Sequence, residues 1–516
     1  MGGTNSLITS LNGAITVNGT GGSVGVRNRG VTITDGNQIT STGTATMNIT
    51  GTGGNGTDYN DGIYLENNSL INSLNGAVTI TGTGGNGTGT SNRGIYAVNN
   101  SEINSNSGNL TLTGNGGQSS VGDTTSSGIA LDNNSTVTST SGNIRLNGRA
   151  TNGSAFGISN AGGTNIIGGA GVSGNIALYA DRWNLTGTTI TTTGEVTLAP
   201  LTNNASIGIN GGAGSVALTN LMLSTIGGTP SKVILGDAIA GTGNVTIADG
   251  WNISPYAFPV EVWGGNIATG SITASTRSLL MRARTGNITL NNGALLSSNA
   301  ANDALVLATS GNFYNNTGSS TPFTLTGGGR WLTFSTAPAS DTLNSLSSDF
   351  IRYSCAYGNA CAGTIPATGN GFIYSSTDPS TITIPTGGSS VSSPITTTTP
   401  PSPSVITSPI VAEPLPTIMT PSPIITPTSL NNPHFSPIAN TVVFVSQNIA
   451  RASQNEVQNE VQSKSNMPSN SKKPTNTNKE YKKHSNMDID SSLIIQIDKA
   501  LAKKLGIKKL WLSLIQ

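Results

Sequence analysis

Short apolar–polar alternations recur along the first third of the chain, and they do so at a fixed distance. Ile15/Val17, Met47/Ile49, Val78/Ile80, Leu110/Leu112 and Ile144/Leu146 each place two apolar side chains two residues apart, with Thr, Asn or Arg around them. A period of two is that of a strand with one face turned inward. The units that carry these strands begin at Ile8, Ile39, Ile71, Ile103 and Val137, spacings of 31, 32, 32 and 34 residues. Two units align almost letter for letter, Ile-Asn-Ser-Leu-Asn-Gly-Ala-Val-Thr-Ile-Thr-Gly-Thr-Gly-Gly from Ile71 and Ile-Thr-Ser-Leu-Asn-Gly-Ala-Ile-Thr-Val-Asn-Gly-Thr-Gly-Gly from Ile8.

A second strand follows in each unit, as Gly62-Ile63-Tyr64-Leu65, Gly94-Ile95-Tyr96-Ala97 and Gly128-Ile129-Ala130-Leu131, closed by an Asn-Asn-Ser such as Asn67-Asn68-Ser69. A third short strand opens the next unit. Three strands per repeat without intervening helices predict one coil of a right-handed parallel β-helix (a solenoid), an all-β fold. One coil cannot bury its own inward face, so successive coils must stack, about 4.8 Å apart. The Asn pairs then fall above one another and predict an amide ladder, while the Gly-rich Thr-Gly-Thr-Gly-Gly-Asn-Gly is expected to supply turn residues with positive φ.

The strict period covers residues 1–165. Over 166–385 it decays, yet the turn-then-strand texture persists in Gly174-Asn175-Ile176-Ala177-Leu178, Gly194-Glu195-Val196-Thr197-Leu198, Gly243-Asn244-Val245-Thr246-Ile247 and Gly286-Asn287-Ile288-Thr289-Leu290. Residues 386–450 read as a Pro/Ser/Thr-rich linker, since 12 of the 23 prolines lie between Pro394 and Pro437. Residues 451–490 are polar and predicted to be disordered. In 491–516, Leu493, Ile497, Leu501 and Leu505 recur at helical spacing beside Lys499, Lys503, Lys504, Lys508 and Lys509, which predicts a short amphipathic helix able to touch a membrane surface weakly.

Composition sharpens this picture. Charged residues are only 9% of the chain, glycines number 67, and the net charge is +1. Eleven of the twelve lysines lie at or beyond Lys464, so residues 1–390 expose hydroxyls and amides. That surface suits glycans or neighbouring strands, not nucleic acid, which needs clustered Lys and Arg. Cys355 and Cys361, six residues apart, are a candidate disulfide. No apolar run approaches the ~18 residues of a membrane span. Met1-Gly-Gly-Thr-Asn-Ser lacks the basic and apolar regions of a signal peptide, and a repeat begins within the first ten residues, so an upstream secretion segment is expected to be missing or separately encoded.

Candidate chemistry is sparse. The acids Asp35, Asp58, Asp61, Glu66, Glu102, Asp123 and Asp132 stand singly, and the closest pair, Asp58 and Asp61, falls in a Gly-rich loop where solvated carboxylates are expected. Both histidines, His434 and His484, lie in the linker and tail, which excludes a His-based triad or metal site within the solenoid. Gly53-Gly54-Asn55-Gly56-Thr57-Asp58 resembles a calcium-binding nonapeptide, but the sister repeat has Gly89 in place of the aspartate. Trp183, Trp251, Trp263 and Trp331 are expected in core or edge packing more than in sugar stacking. With no P-loop or dinucleotide fingerprint, no cofactor is expected.

Beyond the repeats, the chain resembles the filamentous haemagglutinin-like exoproteins, the large passengers of bacterial two-partner secretion. The resemblance covers residues 8–385. It is carried by Val196-Thr197-Leu198-Ala199-Pro200, Thr219-Asn220-Leu221-Met222-Leu223-Ser224-Thr225-Ile226, Val233-Ile234-Leu235-Gly236, Asp303-Ala304-Leu305-Val306-Leu307-Ala308, Gly329-Arg330-Trp331-Leu332-Thr333-Phe334-Ser335-Thr336 and Gly369-Asn370-Gly371-Phe372-Ile373-Tyr374. It implies export through an outer-membrane barrel, folding outside the cell, and adhesion to surface glycans or proteins. The family's Asn-Pro-Asn-Gly secretion signature is absent, and such passengers are usually poor in cysteine. The expectation is thus a non-enzymatic adhesin-type passenger, secreted or held at the bacterial surface. The alternatives are the carrier stalk of a contact-dependent toxin system, which would need a globular C-terminal domain, a truncated relic, and a polysaccharide-acting β-helix enzyme, which would need clustered acids on one strand face.

Overall fold

A computed structural model describes Met1, residues 3–274 and residues 276–378. The linker, the polar segment, the C-terminal helix expected over 491–516, and both histidines lie outside the described residues.

The described chain is a parallel β-helix. Every paired strand runs parallel to its neighbour, and along the regular coils consecutive neighbours in each sheet come from consecutive coils. One sheet of fourteen strands runs the whole length, from Ile15–Thr20 through Val78–Thr83 and Val260–Gly264 to Gly371–Tyr374 and Phe350–Arg352. Fourteen strands at about 4.8 Å each span about 60 Å. Two further sheets complete the first coils. An eight-stranded sheet contains Leu7–Ser10, Gln38–Ser41 and Leu70–Ser73. A six-stranded sheet contains Val31–Ile33, Ile63–Leu65, Ile95–Ala97, Ile129–Asp132, Ile158–Gly162 and Trp183–Asn184.

Register carries the sequence repeat directly into space. Ile15 pairs with Met47, Met47 with Val78, Val78 with Leu110 and Leu110 with Ile144. Each inward position thereby becomes a continuous apolar column, and these columns form one buried core from Ile15 to Tyr374. The Asn pairs also stack. Asn67 Nδ2 donates to Asp35 Oδ1 at 3.1 Å, Asn99 Nδ2 to Asn67 Oδ1 at 3.2 Å, and Asn133 Nδ2 to Asn99 Oδ1 at 3.1 Å.

The glycines of the Thr-Gly-Thr-Gly-Gly stretch do a different task from the one expected. The positive φ falls on the Asn pairs, with 55° and 61° at Asn67 and Asn68 and 55° and 59° at Asn99 and Asn100. Asn tolerates this left-handed conformation better than other residues with a side chain. Gly51, Gly82, Gly114 and Gly148 stack in register at the end of the long-sheet strand. There the chain presses against the start of the next strand, and a Cβ on Gly82 would stand 2.1 Å from the carbonyl oxygen of Gly94. These positions require glycine for close approach, not for a turn.

Where the period decays, the cross-section is rebuilt. The two early side sheets end at Ile226–Gly227 and Trp183–Asn184, and two new ones begin, a six-stranded sheet that includes Ile207–Ile209 and a four-stranded sheet that starts at Trp251–Asn252. A four-residue helix, Asn220–Leu223, stands at the changeover, capped by Thr219 and burying Leu223. Asn220 Oδ1 accepts from Nε1 of the buried Trp251 at 2.9 Å.

The far end explains why a cysteine pair stands there. Phe350–Arg352 forms the edge of the long sheet, and the chain then returns to insert Gly371–Tyr374 between it and Arg330–Ser335. The intervening loop, closed by a Cys355–Cys361 disulfide, lies over the outward side of the sheet. Cys355 packs there with Leu280, Leu332, Phe334 and Ile373, which form a second apolar cluster. Phe334 meets Tyr357 edge-to-face at 5.2 Å.

Candidate functional site

The outward side of the early six-stranded sheet brings Arg29, Asp61 and Arg93 together with Tyr64 and Tyr96. Each of its first four strands is entered through a three-residue corner: Arg27-Asn28-Arg29, Tyr59-Asn60-Asp61, Ser91-Asn92-Arg93 and Thr125-Ser126-Ser127. The first residue is left-handed in three of them, with φ of 60° at Arg27, 58° at Tyr59 and 62° at Ser91. The second residue builds a buried ladder. Asn28 Nδ2 donates to Asn60 Oδ1 at 3.1 Å, Asn60 Nδ2 to Asn92 Oδ1 at 2.9 Å, and the backbone N–H of Asn92 to Ser126 Oγ at 2.9 Å.

The third residue builds an ionic column. Arg29 Nε donates to Asp61 Oδ2 at 3.2 Å, the backbone N–H of Arg93 donates to Asp61 Oδ1 at 3.2 Å, and Arg93 Nη1 stands 3.8 Å from that oxygen. Asp61 is fully buried, which corrects the expectation of a solvated loop carboxylate. Arg29 in the coil before it and Arg93 in the coil after it close over the carboxylate. Burial pushes its carboxyl up, against the opposing pull of Arg93 and Arg29. Asp58, its partner in that expectation, is half-buried and accepts from the backbone N–H of Thr90 at 2.7 Å.

Two tyrosines extend the column outward. The Arg29 guanidinium lies 3.4 Å from the centre of the Tyr64 ring and that of Arg93 lies 4.0 Å from the Tyr96 ring. The rings are 5.6 Å apart. Burial raises both phenols, Tyr64 to about 12. Tyr96 Oη donates to Asp132 Oδ2 at 2.7 Å.

Beside this stack a cleft of about 240 Å³ opens, lined by Arg93, Thr124, Thr125, Ser127, Asp132, Phe156, Ser159, Asn160, Ala161 and Asn184. One wall belongs to the loop of the fourth coil, which Asp123 organises. Its Oδ1 accepts from the backbone N–H and hydroxyl of Thr125 at 2.8 and 2.6 Å, and its Oδ2 from the N–H of Ser126 at 3.1 Å. Burial opposes its charge, but these hydrogen bonds outweigh it and hold the carboxyl below the ordinary range. Phe156 supplies the aromatic surface, with the Arg182 guanidinium 4.9 Å from its ring centre. Arg182 is itself fixed by the carbonyls of Gly153 and Ser154. Ser159 Oγ donates to Ser127 Oγ at 2.9 Å. Arg93 is nine-tenths buried, and its Nη1 has no hydrogen-bond partner in the protein.

The cleft therefore holds an obligate donor in Arg93, one carboxylate acceptor in Asp132, hydroxyls and amides that do either, and one ring face. Of these residues the sequence reading singled out only Asp132, as one of the scattered acids. The signal for the rest was the vertical repeat of Arg29 and Arg93 and of Tyr64 and Tyr96, each member two coils or one coil above the last.

A second recess, a groove of about 600 Å³ over the four-stranded sheet, is lined by Tyr256, Thr273, Thr276, Ser297, Asn299 and Thr324 among others, and none of its lining residues is charged. Trp183, Trp251 and Trp331 are buried in the core, and Trp263 is half-buried against the second apolar cluster. Among the described residues, no group of three or more His, Cys, Asp or Glu side chains could hold a metal ion, and no helix is long and apolar enough to cross a membrane. Comparison with family models, curated proteins and solved structures finds no match.

Proposed function

We propose that this protein is a non-enzymatic attachment protein of the adhesin type, working in the medium or at a bacterial surface. In this reading the β-helix is a stiff scaffold that holds polar outer columns against glycans or proteins. The observation that carries it is the outer surface of the regular coils. There, hydroxyls and amides repeat in register over an apolar core, and charges are few, with the buried Asp61 carboxylate enclosed between Arg29 and Arg93. Such a surface binds by many weak, directional hydrogen bonds, and a row of equivalent positions multiplies them through avidity. A glycosidase of the usual kind needs two carboxylates flanking one bond, whereas the lining of the Arg93 cleft contributes one, Asp132, already bonded to Tyr96.

Fractionation of the native host with an antibody against the coils tests this reading. We expect the protein on the outer surface or in the medium, and beads coated with the full chain to attach to glycan-bearing surfaces. Protein confined to the cytoplasm would overturn it and leave the chain as a severed passenger.

A further inference from the structure

We propose that the cleft beside Arg93 is a subsite for one ring of a neutral saccharide. The inference rests on the attachment reading above and names the ligand class for it. The charge pattern decides against other ligands. Arg93 and Asp132 line the same small space, so an anion that approached the guanidinium would face the Asp132 carboxylate, and a cation would face the reverse. A vicinal diol satisfies both, because one hydroxyl accepts from Arg93 while its neighbour donates to Asp132. Both groups are held in place before any ligand arrives. Tyr96 Oη fixes the carboxylate at 2.7 Å, and the Tyr96 ring and Asp61 hold the guanidinium. Preorganised polar groups of this kind are what orient a ligand in a site.

Two more observations point the same way. Arg93 is nine-tenths buried with Nη1 unbonded. Nη1 is enclosed 3.8 Å from Asp61 Oδ1, and this ion pair fixes the guanidinium of a residue that lines the cleft. Phe156 offers a ring at the cleft wall, and the apolar C–H face of a pyranose packs on such a surface. The volume, about 240 Å³, lies below the ~300 Å³ at which sites for drug-sized ligands begin, so it takes a single ring, with the rest of the glycan outside.

The test uses the full chain and calorimetric or NMR titration with glucose, galactose, mannose and N-acetylglucosamine, and with glucuronate as the anionic counterpart. We expect at least one neutral sugar to bind, glucuronate to bind more weakly, and both Phe156→Leu and Asp132→Asn to weaken binding about tenfold. Asp132→Asn keeps an acceptor for Tyr96, and Phe156→Leu keeps an apolar side chain, so both variants should unfold as the parent does. Tighter binding of glucuronate, no binding of any neutral sugar, or unchanged affinity in both variants would overturn the proposal. A surface-exposed protein that attaches normally yet binds no neutral sugar would remove this cleft and leave the attachment reading standing. Sugar binding by a protein confined to the cytoplasm would do the opposite.

Discussion

Asn99 stands in the middle of the outer amide ladder, and replacing it separates two contributions that the sequence alone merges. Its Nδ2 donates to Asn67 Oδ1 at 3.2 Å and its Oδ1 accepts from Asn133 Nδ2 at 3.1 Å. Two net hydrogen bonds are worth about 2 kcal/mol together. Its φ of 55° is left-handed, a conformation that costs an ordinary L-residue about 1–2 kcal/mol and glycine almost nothing. Asn99→Gly should therefore lose about 2 kcal/mol and Asn99→Ala about 3 kcal/mol. The larger loss is about a hundredfold in a local opening constant. A solenoid couples mainly to its nearest neighbours, so the loss should stay near the second, third and fourth coils. Native-state hydrogen exchange on the full chain reads this directly. Protection at Ile95–Ala97 and Ile129–Asp132 should fall, more for Ala than for Gly, while Val260–Gly264 and Leu279–Ala283 keep theirs. Equal losses for Ala and Gly would refute the backbone half of the reasoning. Loss spread evenly over the chain would refute the nearest-neighbour half.

Three further outcomes follow from the same geometry. Thr333 lies in an inward column between Leu307 and Phe372 with its hydroxyl buried and unbonded, so Thr333→Val should stabilise by about 1 kcal/mol; a lower Tm would contradict this. Gly82→Ala places a Cβ 2.1 Å from the Gly94 carbonyl oxygen, whereas Gly153→Ala meets nothing within 4 Å; denaturant titration should show the first costing about 3 kcal/mol or more and the second almost nothing. Burial pushes the Asp341 carboxyl up to about 6 from 3.8, against hydrogen bonds from Ser335 Oγ at 2.6 Å and the backbone N–H of Phe313 at 2.8 Å. The folded state thus favours the protonated acid, so its stabilising contribution is complete below about pH 4 and is lost as pH rises through about 6. Partial exposure reduces the loss to about 1–2 kcal/mol. Asp341→Asn should flatten that part of the stability profile, and a variant with the same pH dependence as the parent would show that another group is responsible.

The regular coils were legible because a solenoid writes its tertiary contacts into the chain at a fixed spacing. Once Ile8, Ile39 and Ile71 are aligned, register, the inward columns and the stacking of Asn67 on Asn99 follow from the pleat alone. Along the irregular half only the strands could be read, from Gly-x-Val/Ile-x-Leu/Ile. The exchange of side sheets around Asn220–Leu223 and Trp251 depends on how the rebuilt cross-section is filled, which no local pattern records. Glycine shows the same divide. Its recurrence was plain, but whether it served a positive φ or a close approach depended on which backbone lay opposite, and at Gly82 that was the carbonyl of a residue in the same coil. The cleft lay furthest from the sequence. Asp61 and Asp58 stand three residues apart and read alike, yet one is enclosed between Arg29 and Arg93 while the other faces the loops. Arg93, Asp132 and Phe156 meet only because three successive coils are superposed. The chain by itself determined the coil, since periodicity is a property of local sequence. The stacked structure decided burial, charge pairing and the site, since these depend on what stands one coil above and one coil below.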